Sequence, residues 1–203
     1  MRQIKFVFLA TLMLFAVNVF AADANDAKNL VKDTTDKVLQ ALKADPSQVI
    51  NLVDEIVLPH FDFVKMSQLV LSKHWRAADD GQKVRFVRAF RELLVRTYAN
   101  ALVETAKGNV TVDYDEPVNA GIKRCPECIT LKSTVNQVGK EPINVDYAMY
   151  VDEEEHWKIY NVYVGGVSLV INYRNEFAND VSKMGIEKFI VKLETSNKEK
   201  RDK

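Results

Sequence analysis

The fold of this chain is decided by residues 143–164, which read INVDYAMYV-DEEEH-WKIYNVYV. Apolar side chains take every second position of the first run, from Ile143 to Val151, and a period of two is typical of a β-strand with one buried face. The acidic stretch after it is short enough for a turn, and strands joined by short turns pair antiparallel. The stretch therefore predicts two neighbouring strands of an antiparallel meander.

The same period extends towards the N-terminus, and a helical period begins on the far side. Residues 110–112 and 129–135 alternate, and Gly139 supplies a turn into the hairpin. After Gly165-Gly166, apolar residues recur at helical spacing over 169–177, and again near the end of the chain. Two C-terminal helices are therefore expected after the strands.

The residues before the strands have the period of helices. Asp45 caps a second helix, and Pro46 takes its first position. Pro59 stops that helix, and Asp62 caps a third. The longest helix is predicted from about Gly81 to Lys107. Its apolar stripe is expected at Val84, Val87, Phe90, Leu94, Thr97, Tyr98 and Ala101.

Together these elements predict an α+β fold, in which N-terminal and C-terminal helices cover a curved antiparallel sheet of about four to five strands. A length of 203 residues suits one domain. Sheets of this shape often leave a cavity under the helices. Periodicity leaves open whether side chains or a ligand fill it.

The N-terminus has the pattern of a secretory signal peptide. A short basic start ends at Lys5, residues 6–20 are almost wholly apolar, and cleavage is expected near Ala21. An uncleaved membrane anchor is the alternative, although the apolar run is slightly short for one. We expect an exported chain with a signal peptide at 1–21, a single domain at 22–195 and a charged tail at 196–203.

Net charge argues against one class of partner. The chain has 28 basic and 28 acidic residues, so its formal net charge is zero. A protein without excess positive charge has no general attraction for nucleic acid. Nucleic acid is therefore not an expected partner.

Cys125 and Cys128 are the two cysteines of the chain. In an oxidising compartment such a pair is expected to form a local disulfide. A redox-active pair would need its first cysteine at a helix N-terminus, whereas this pair precedes a strand. A zinc site would need two further ligands, which His60, His74 and His156 do not supply at a suitable spacing. No metal ligand is predicted.

The usual sequence patterns of catalysis are missing. There is no G-x-S-x-G elbow, no H-E-x-x-H helix and no Gly-rich phosphate loop. Ser168 lacks the second glycine of an elbow and is interpreted as a helix N-cap. His60 beside Asp62 is interpreted as a surface residue near a cap. No catalytic residue is predicted.

Four arginines are interleaved with the apolar stripe of the longest helix. One interpretation is that they lie on a solvent-exposed face and pair with nearby acidic residues. The other is that they form a docking surface or a binding site for a phosphate. The four are Arg85, Arg88, Arg91 and Arg96.

Four runs of the sequence together resemble one protein family. The strongest is GVSLVINYRNEF at 166–177, and the others are LPHFDF at 58–63, FVRAFRELLVRTY at 86–98 and WKIYNV at 157–162. In this order and spacing they resemble the MlaC or toluene-tolerance family of periplasmic phospholipid-binding proteins, over about residues 28–193. The chain departs from that pattern at Ser72, where the family usually has glycine, and at the cysteine pair.

The resemblance implies a soluble periplasmic carrier, not an enzyme, that holds phospholipid as cargo without a cofactor. Its partners would be an outer-membrane lipoprotein–porin complex and an inner-membrane ATP-driven lipid transporter complex, and its role would be to maintain outer-membrane lipid asymmetry. A monomer is expected. Two alternatives stay open: a non-catalytic envelope interaction module, and an enzyme of cone-shaped α+β fold acting on a small apolar substrate.

Candidate lipid-binding residues come from the apolar sheet face and the helices expected to cover it. An ordinary core position is the alternative for each, because both roles show the same apolar spacing. Met149 is favoured, since a flexible thioether adapts to varied chains. The full set is Phe90, Leu94, Tyr98, Tyr147, Met149, Trp157, Val162, Val164, Val167, Leu169 and Tyr173.

Overall fold

Helices form the first half of the chain in the computed structural model, which describes residues 23–201. The predicted signal peptide lies outside the described residues. The helices are α1 (Ala24–Ala44), α2 (Val49–Leu52), α3 (Phe63–Leu71), α4 (Lys73–Ala77) and α5 (Asp80–Lys107). The three longest start after Asp23, Asp62 and Asp79, whose carboxylates accept backbone N–H groups of the first turn. No helix within residues 23–201 combines the length and apolar character needed to cross a membrane.

The second predicted helix is irregular. It opens at Asp45 through a 3₁₀ turn, Pro46–Gln48. After α2 the chain continues as a π-helical turn, Val53–Val57, and a further 3₁₀ turn, Leu58–His60, which contains Pro59. Proline has no N–H to donate, so a regular α-helical ladder does not continue through it. The segment leads to the sheet edge, where Phe61 pairs with Ile159 of the hairpin.

The buried face of α5 is wider than the predicted stripe. Phe90 and Leu94 are buried as predicted, whereas Val84 is 70% exposed. One apolar stripe is not enough for α5, because this helix packs against α1, α2, α3 and a C-terminal helix. The other buried positions on α5 are Phe86, Ala89, Leu93, Val95, Ala99 and Ala106.

The strands form one antiparallel sheet, and five of the described strands have three residues or more. They are β1 (Val110–Tyr114), β2 (Val118–Asn119), β3 (Ile129–Leu131), β4 (Ser133–Gln137), β5 (Ile143–Val151), β6 (Trp157–Val164) and β7 (Val167–Ser168). β5 pairs with β6 along one side and with β4 and β3 along the other. β5, the first strand of the hairpin predicted from residues 143–164, is therefore the central strand of the sheet.

The turn from β6 to β7 depends on glycine. Gly165 and Gly166 both have positive φ, at 56° and 81°. Two consecutive positive φ values are typical of a tight two-residue hairpin turn, which other residues adopt only with strain. The turn brings Ser168 to the start of the C-terminal helices.

Two helices complete the chain, α6 (Leu169–Met184) and α7 (Ile186–Arg201). Ser168 caps α6 as predicted, since its hydroxyl accepts the N–H of Ile171. α7 continues through the residues assigned to a charged tail as far as Arg201. The reason is Asn197, which is buried and donates its amide to the carbonyl of Ala89 on α5 at 2.9 Å.

Two clusters of buried apolar side chains hold the helices and the sheet together. The helical cluster joins α3, α5, α6 and α7 around five aromatic rings, and the sheet cluster packs α1 against one face of the sheet. The rings of the helical cluster are Phe86, Phe90, Tyr173, Phe177 and Phe189. The buried members of the sheet cluster are Ala27, Val31, Ile129, Leu131, Met149, Trp157, Ile159 and Val162.

Ser72 joins α3 to α4 with φ 52° and ψ −114°. A side chain at positive φ is strained, whereas glycine is not. We expect Ser72→Gly to raise the free energy of unfolding by about 1 kcal/mol. Urea unfolding measures the change. Ser182→Gly, inside α6, is the matched control and should lower the same quantity by about 0.5 kcal/mol. A loss of stability in both variants would contradict the assignment of strain to Ser72.

Candidate functional site

A cleft of about 1080 Å³ opens between the sheet and α3. Its walls are the segment from Leu58 to Lys65, one face of α5, the loop around the cysteine pair and the β5–β6 hairpin. Its apolar and aromatic lining comprises Leu58, Phe61, Phe63, Val64, Leu69, Val87, Ile122, Tyr150, Val151 and Tyr160. Charged side chains complete it: Asp62, Lys65, Arg91, Arg124, Glu127, Asp152, Glu153, Glu154 and Lys158.

Asp62 fixes the junction between α3 and the sheet. One carboxylate oxygen accepts the backbone N–H of Lys65 at 2.8 Å, and the other accepts the hydroxyl of Tyr150. The backbone N–H of Asp62 donates to the carbonyl of Ile159 at 2.9 Å. These three bonds hold the start of α3 against β5 and β6. Both oxygens of Asp62 thus make structural contacts, and its predicted role as the cap of the third helix is confirmed.

Two tyrosines of neighbouring strands lie together at the cleft. Lys158 pairs with Tyr150, and alternation from Lys158 places Tyr160 on the same face, with the two ring centroids 5.9 Å apart. The register of β5 and β6 shifts between Ala148 and Met149, which makes Tyr160 the extra residue of a β-bulge. Burial raises the pKa of both hydroxyls above 10.0. Both rings are neutral at physiological pH and form an aromatic wall.

Lys65 lies against this aromatic wall. Its ammonium is 3.2 Å from the centroid of the Tyr150 ring and 5.0 Å from that of Tyr160. Such cation–π contacts are stronger where water is partly excluded. Burial lowers the pKa of Lys65 from its ordinary value. The cleft thus has a partly desolvated cation on one side.

The loop that carries the cysteines forms another wall. Cys125 and Cys128 are joined by a disulfide with their Cα atoms 5.3 Å apart, and Cys128 is buried. Backbone bonds from Ala120 to Cys128 and from Cys125 to Ile122 close the loop. The two sulfurs and a carboxylate oxygen of Glu127 lie within 4.8 Å of one another. Sulfurs in a disulfide are not thiolates, so they do not supply zinc ligands.

We expect replacement of both cysteines, Cys125→Ser with Cys128→Ser, to lower the free energy of unfolding by about 2 kcal/mol. The disulfide closes a short loop, so it restricts the unfolded chain only a little and the loss of stability is modest. Serine has nearly the volume of cysteine, so the wall of the cleft keeps its shape. Urea unfolding under oxidising conditions measures the change, and the wild type with a reductant should show the same loss. Lipid retention is expected to be kept. A double variant that folded normally but lost lipid would show that the pair does more than stabilise the loop.

The four arginines of α5 pair with acids. Arg85 contacts Glu187 and Glu194 of α7 at 2.6 and 2.7 Å. These two pairs tie α5 to α7 on a solvated surface. The structure therefore favours the paired, solvated face over the docking surface. The other pairs are Arg88 with Glu194 at 3.7 Å, Arg91 with Asp54 at 2.9 Å, and Arg96 with Glu92 at 3.1 Å.

Ten of the eleven candidate lipid-binding residues from the sequence lie in or on the two apolar clusters, and none of the eleven borders the cleft. Val167 belongs to neither cluster and is 57% exposed. Four pack in or on the helical cluster: Phe90, Leu94, Tyr98 and Tyr173. Six pack in or on the sheet cluster: Tyr147, Met149, Trp157, Val162, Val164 and Leu169.

Alternation along β5 explains this separation. Tyr147 and Met149 face the sheet cluster, which α1 covers. Ala148 and Tyr150 alternate with them and face α3. The cleft thus borders the less apolar face of the sheet, where tyrosine and lysine side chains stand. In the sequence, the face of the sheet that borders the cleft is marked by amphipathic side chains at the alternate positions, Tyr150, Lys158 and Tyr160.

Comparison with known proteins relates the chain to a lipid-binding group. A family model described as MlaC protein matches residues 28–195. Toluene tolerance protein ttg2D of Pseudomonas putida is 26% identical over 181 residues, 85% of this chain and 81% of the relative. Intermembrane phospholipid transport system binding protein MlaC of Haemophilus influenzae is 22% identical over 157 residues, 76% of this chain and 71% of the relative.

A solved structure has the same architecture. The phospholipid-binding protein from Ralstonia solanacearum, determined in complex with a phospholipid, is 31% identical and superposes with a TM-score of 0.75. The match covers 86% of this chain and 98% of the solved one. The chain therefore shares its mixed fold of helices and open antiparallel sheet with that phospholipid-binding protein.

Proposed function

We propose that this chain, which belongs to the MlaC family, binds a phospholipid in the cleft beside α3 and carries it as cargo. The observation that carries the proposal is the cleft itself. Small-molecule pockets usually have about 300–1,000 Å³, so a cleft of about 1080 Å³ has room for a large ligand. Its walls combine apolar side chains for acyl chains with charged side chains for a head group.

We place the inner ends of the acyl chains between the two apolar clusters. Phe61 packs against both clusters and also borders the cleft. A chain that displaces Phe61 would pass from the cleft to side chains such as Met149 and Leu169. Ten of the eleven residues from the sequence, all but the exposed Val167, are proposed as the deeper contacts of the lipid, and the cleft as its entrance.

Physical chemistry explains the need for a carrier. Moving one methylene group from apolar surroundings into water costs about 0.8 kcal/mol. Two long acyl chains would cost on the order of 20 kcal/mol, so unassisted passage through water is very slow. A carrier needs apolar volume and an entrance, but no catalytic group. We therefore propose a transport role without an enzymatic one.

The cellular part of the proposal rests on the family and on the N-terminal pattern. We place the protein in the periplasm as a soluble monomer, after cleavage near Ala21. It would exchange phospholipid with a lipoprotein–porin complex of the outer membrane and an ATP-driven complex of the inner membrane. Such exchange would maintain the lipid asymmetry of the outer membrane.

Lipid transfer between vesicles tests this proposal. Donor vesicles hold a fluorescent phospholipid, acceptor vesicles hold none, and the chain without residues 1–21 is added at increasing concentration. A carrier that moves through water should raise the transfer rate in proportion to its concentration. No transfer by a folded protein would overturn the carrier role and favour an interaction module.

A further inference from the structure

Two cations of the cleft have no carboxylate partner among residues 23–201. Arg124 makes no hydrogen bond or ion pair with another described residue. The ammonium of Lys65 contacts the rings of Tyr150 and Tyr160, with no carboxylate oxygen within 4.0 Å. The other two cations of the cleft are engaged: Arg91 contacts Asp54 at 2.9 Å, and Lys158 contacts Asp152 at 3.8 Å.

Both of these cations line the same cleft. Lys65 follows the cap of α3, which Asp62 fixes to the sheet. Arg124 directly precedes Cys125, which packs with the tyrosines of the wall and is covalently closed to Cys128. Two different elements therefore hold the backbones of Lys65 and Arg124, and both charged groups can contact a ligand in the cleft. The half-buried ammonium of Lys65 is balanced only by the more distant carboxylates of Asp62 and Glu127 among the described residues, so an anionic ligand in direct contact would stabilise it.

We propose that Lys65 and Arg124 bind the phosphodiester of the lipid in the cleft and select phospholipid over diacylglycerol. This inference rests on the proposed function and deepens it. A guanidinium offers two parallel N–H donors to phosphate oxygens, and an ammonium adds a point charge. The acyl chains then lie along the tyrosine wall, with the phosphate where cleft and solvent meet.

A competition experiment tests the selection. Vesicles contain equal amounts of a phosphatidylethanolamine and a diacylglycerol with the same acyl chains, and the lipid taken up is extracted and quantified. The test variant is Lys65→Met with Arg124→Gln. Its matched control is Lys188→Met with Arg76→Gln, which removes the same charges from exposed positions outside the cleft.

Wild type and control should favour the phospholipid by about tenfold or more for each charged contact. The test variant should take up both lipids with little preference, because the acyl-chain contacts are intact. A test variant that kept the full preference would overturn the inference, as would a wild type that took up both lipids equally. A folded wild type that took up neither lipid would instead overturn the proposed function.

A second arm separates a lipid phosphate from a free one. The melting temperature of the lipid-free protein is measured with inorganic phosphate and with chloride at equal ionic strength. We expect the same melting temperature in both salts, because a free ion has no acyl chains to hold it. A rise in phosphate that the test variant lacked would reassign the two cations to free phosphate and overturn the lipid assignment.

Discussion

Val64→Asp is expected to lower the phospholipid retained by the protein by about tenfold or more, because burying a valine contributes about 1.5–3 kcal/mol and a charge in its place repels an acyl chain. Val64 borders the cleft on α3 and is 49% exposed. Exposure of this degree allows the substitution without loss of the fold. The measurement is bound phospholipid per protein after loading from vesicles.

The control for this prediction is Val191→Asp. Val191 is also helical, on α7, and is 47% exposed, but it lies outside the cleft. It should retain lipid as the wild type does. If both valine variants kept the wild-type lipid content, the cleft would not be the lipid entrance. If both lost it equally, the effect would come from the added charge alone.

Asp62→Ala is expected to lower the free energy of unfolding by about 3 kcal/mol. The substitution removes a helix cap, at about 1 kcal/mol, and a hydrogen bond between Tyr150 and a charged acceptor, at about 1.5–3 kcal/mol. Asp23→Ala is the matched control, since Asp23 caps α1 and, among residues 23–201, its side chain accepts hydrogen bonds only from Asn25. It should cost about 1 kcal/mol, as a cap alone does.

A double-mutant cycle with Tyr150→Phe separates the two contributions of Asp62. In the Tyr150→Phe background the hydrogen bond is already missing, so Asp62→Ala should cost only about 1 kcal/mol there. Urea unfolding of the four proteins gives the coupling energy. An equal loss in both backgrounds would show that the bond between Asp62 and Tyr150 does not join α3 to the sheet.

Much of the fold follows from local patterns in the sequence. The alternation over 143–164 predicts the central hairpin, and Asp62 and Ser168 cap helices where expected. The family resemblance is confirmed by the match over residues 28–195. These signals are local, because a strand period or a cap depends on a few neighbouring residues. Such signals can be recognised without knowing which helices and strands contact one another.

The position of the cleft depends on contacts between distant elements. Alternation separates the two faces of β5, but it cannot show that α1 covers the face of Met149. The bulge at Tyr160 has no mark in the sequence, although it decides that Val162 faces the sheet cluster. Asn197 likewise looks like part of a charged tail until α5 supplies the carbonyl of Ala89 as its partner.

Native mass spectrometry of the protein without residues 1–21, followed by lipid extraction, tests the central claim most directly. We expect a mass with one phospholipid bound, which Val64→Asp loses and Val191→Asp keeps. A folded protein that showed only its bare mass, and that took up no phospholipid from vesicles, would contradict it.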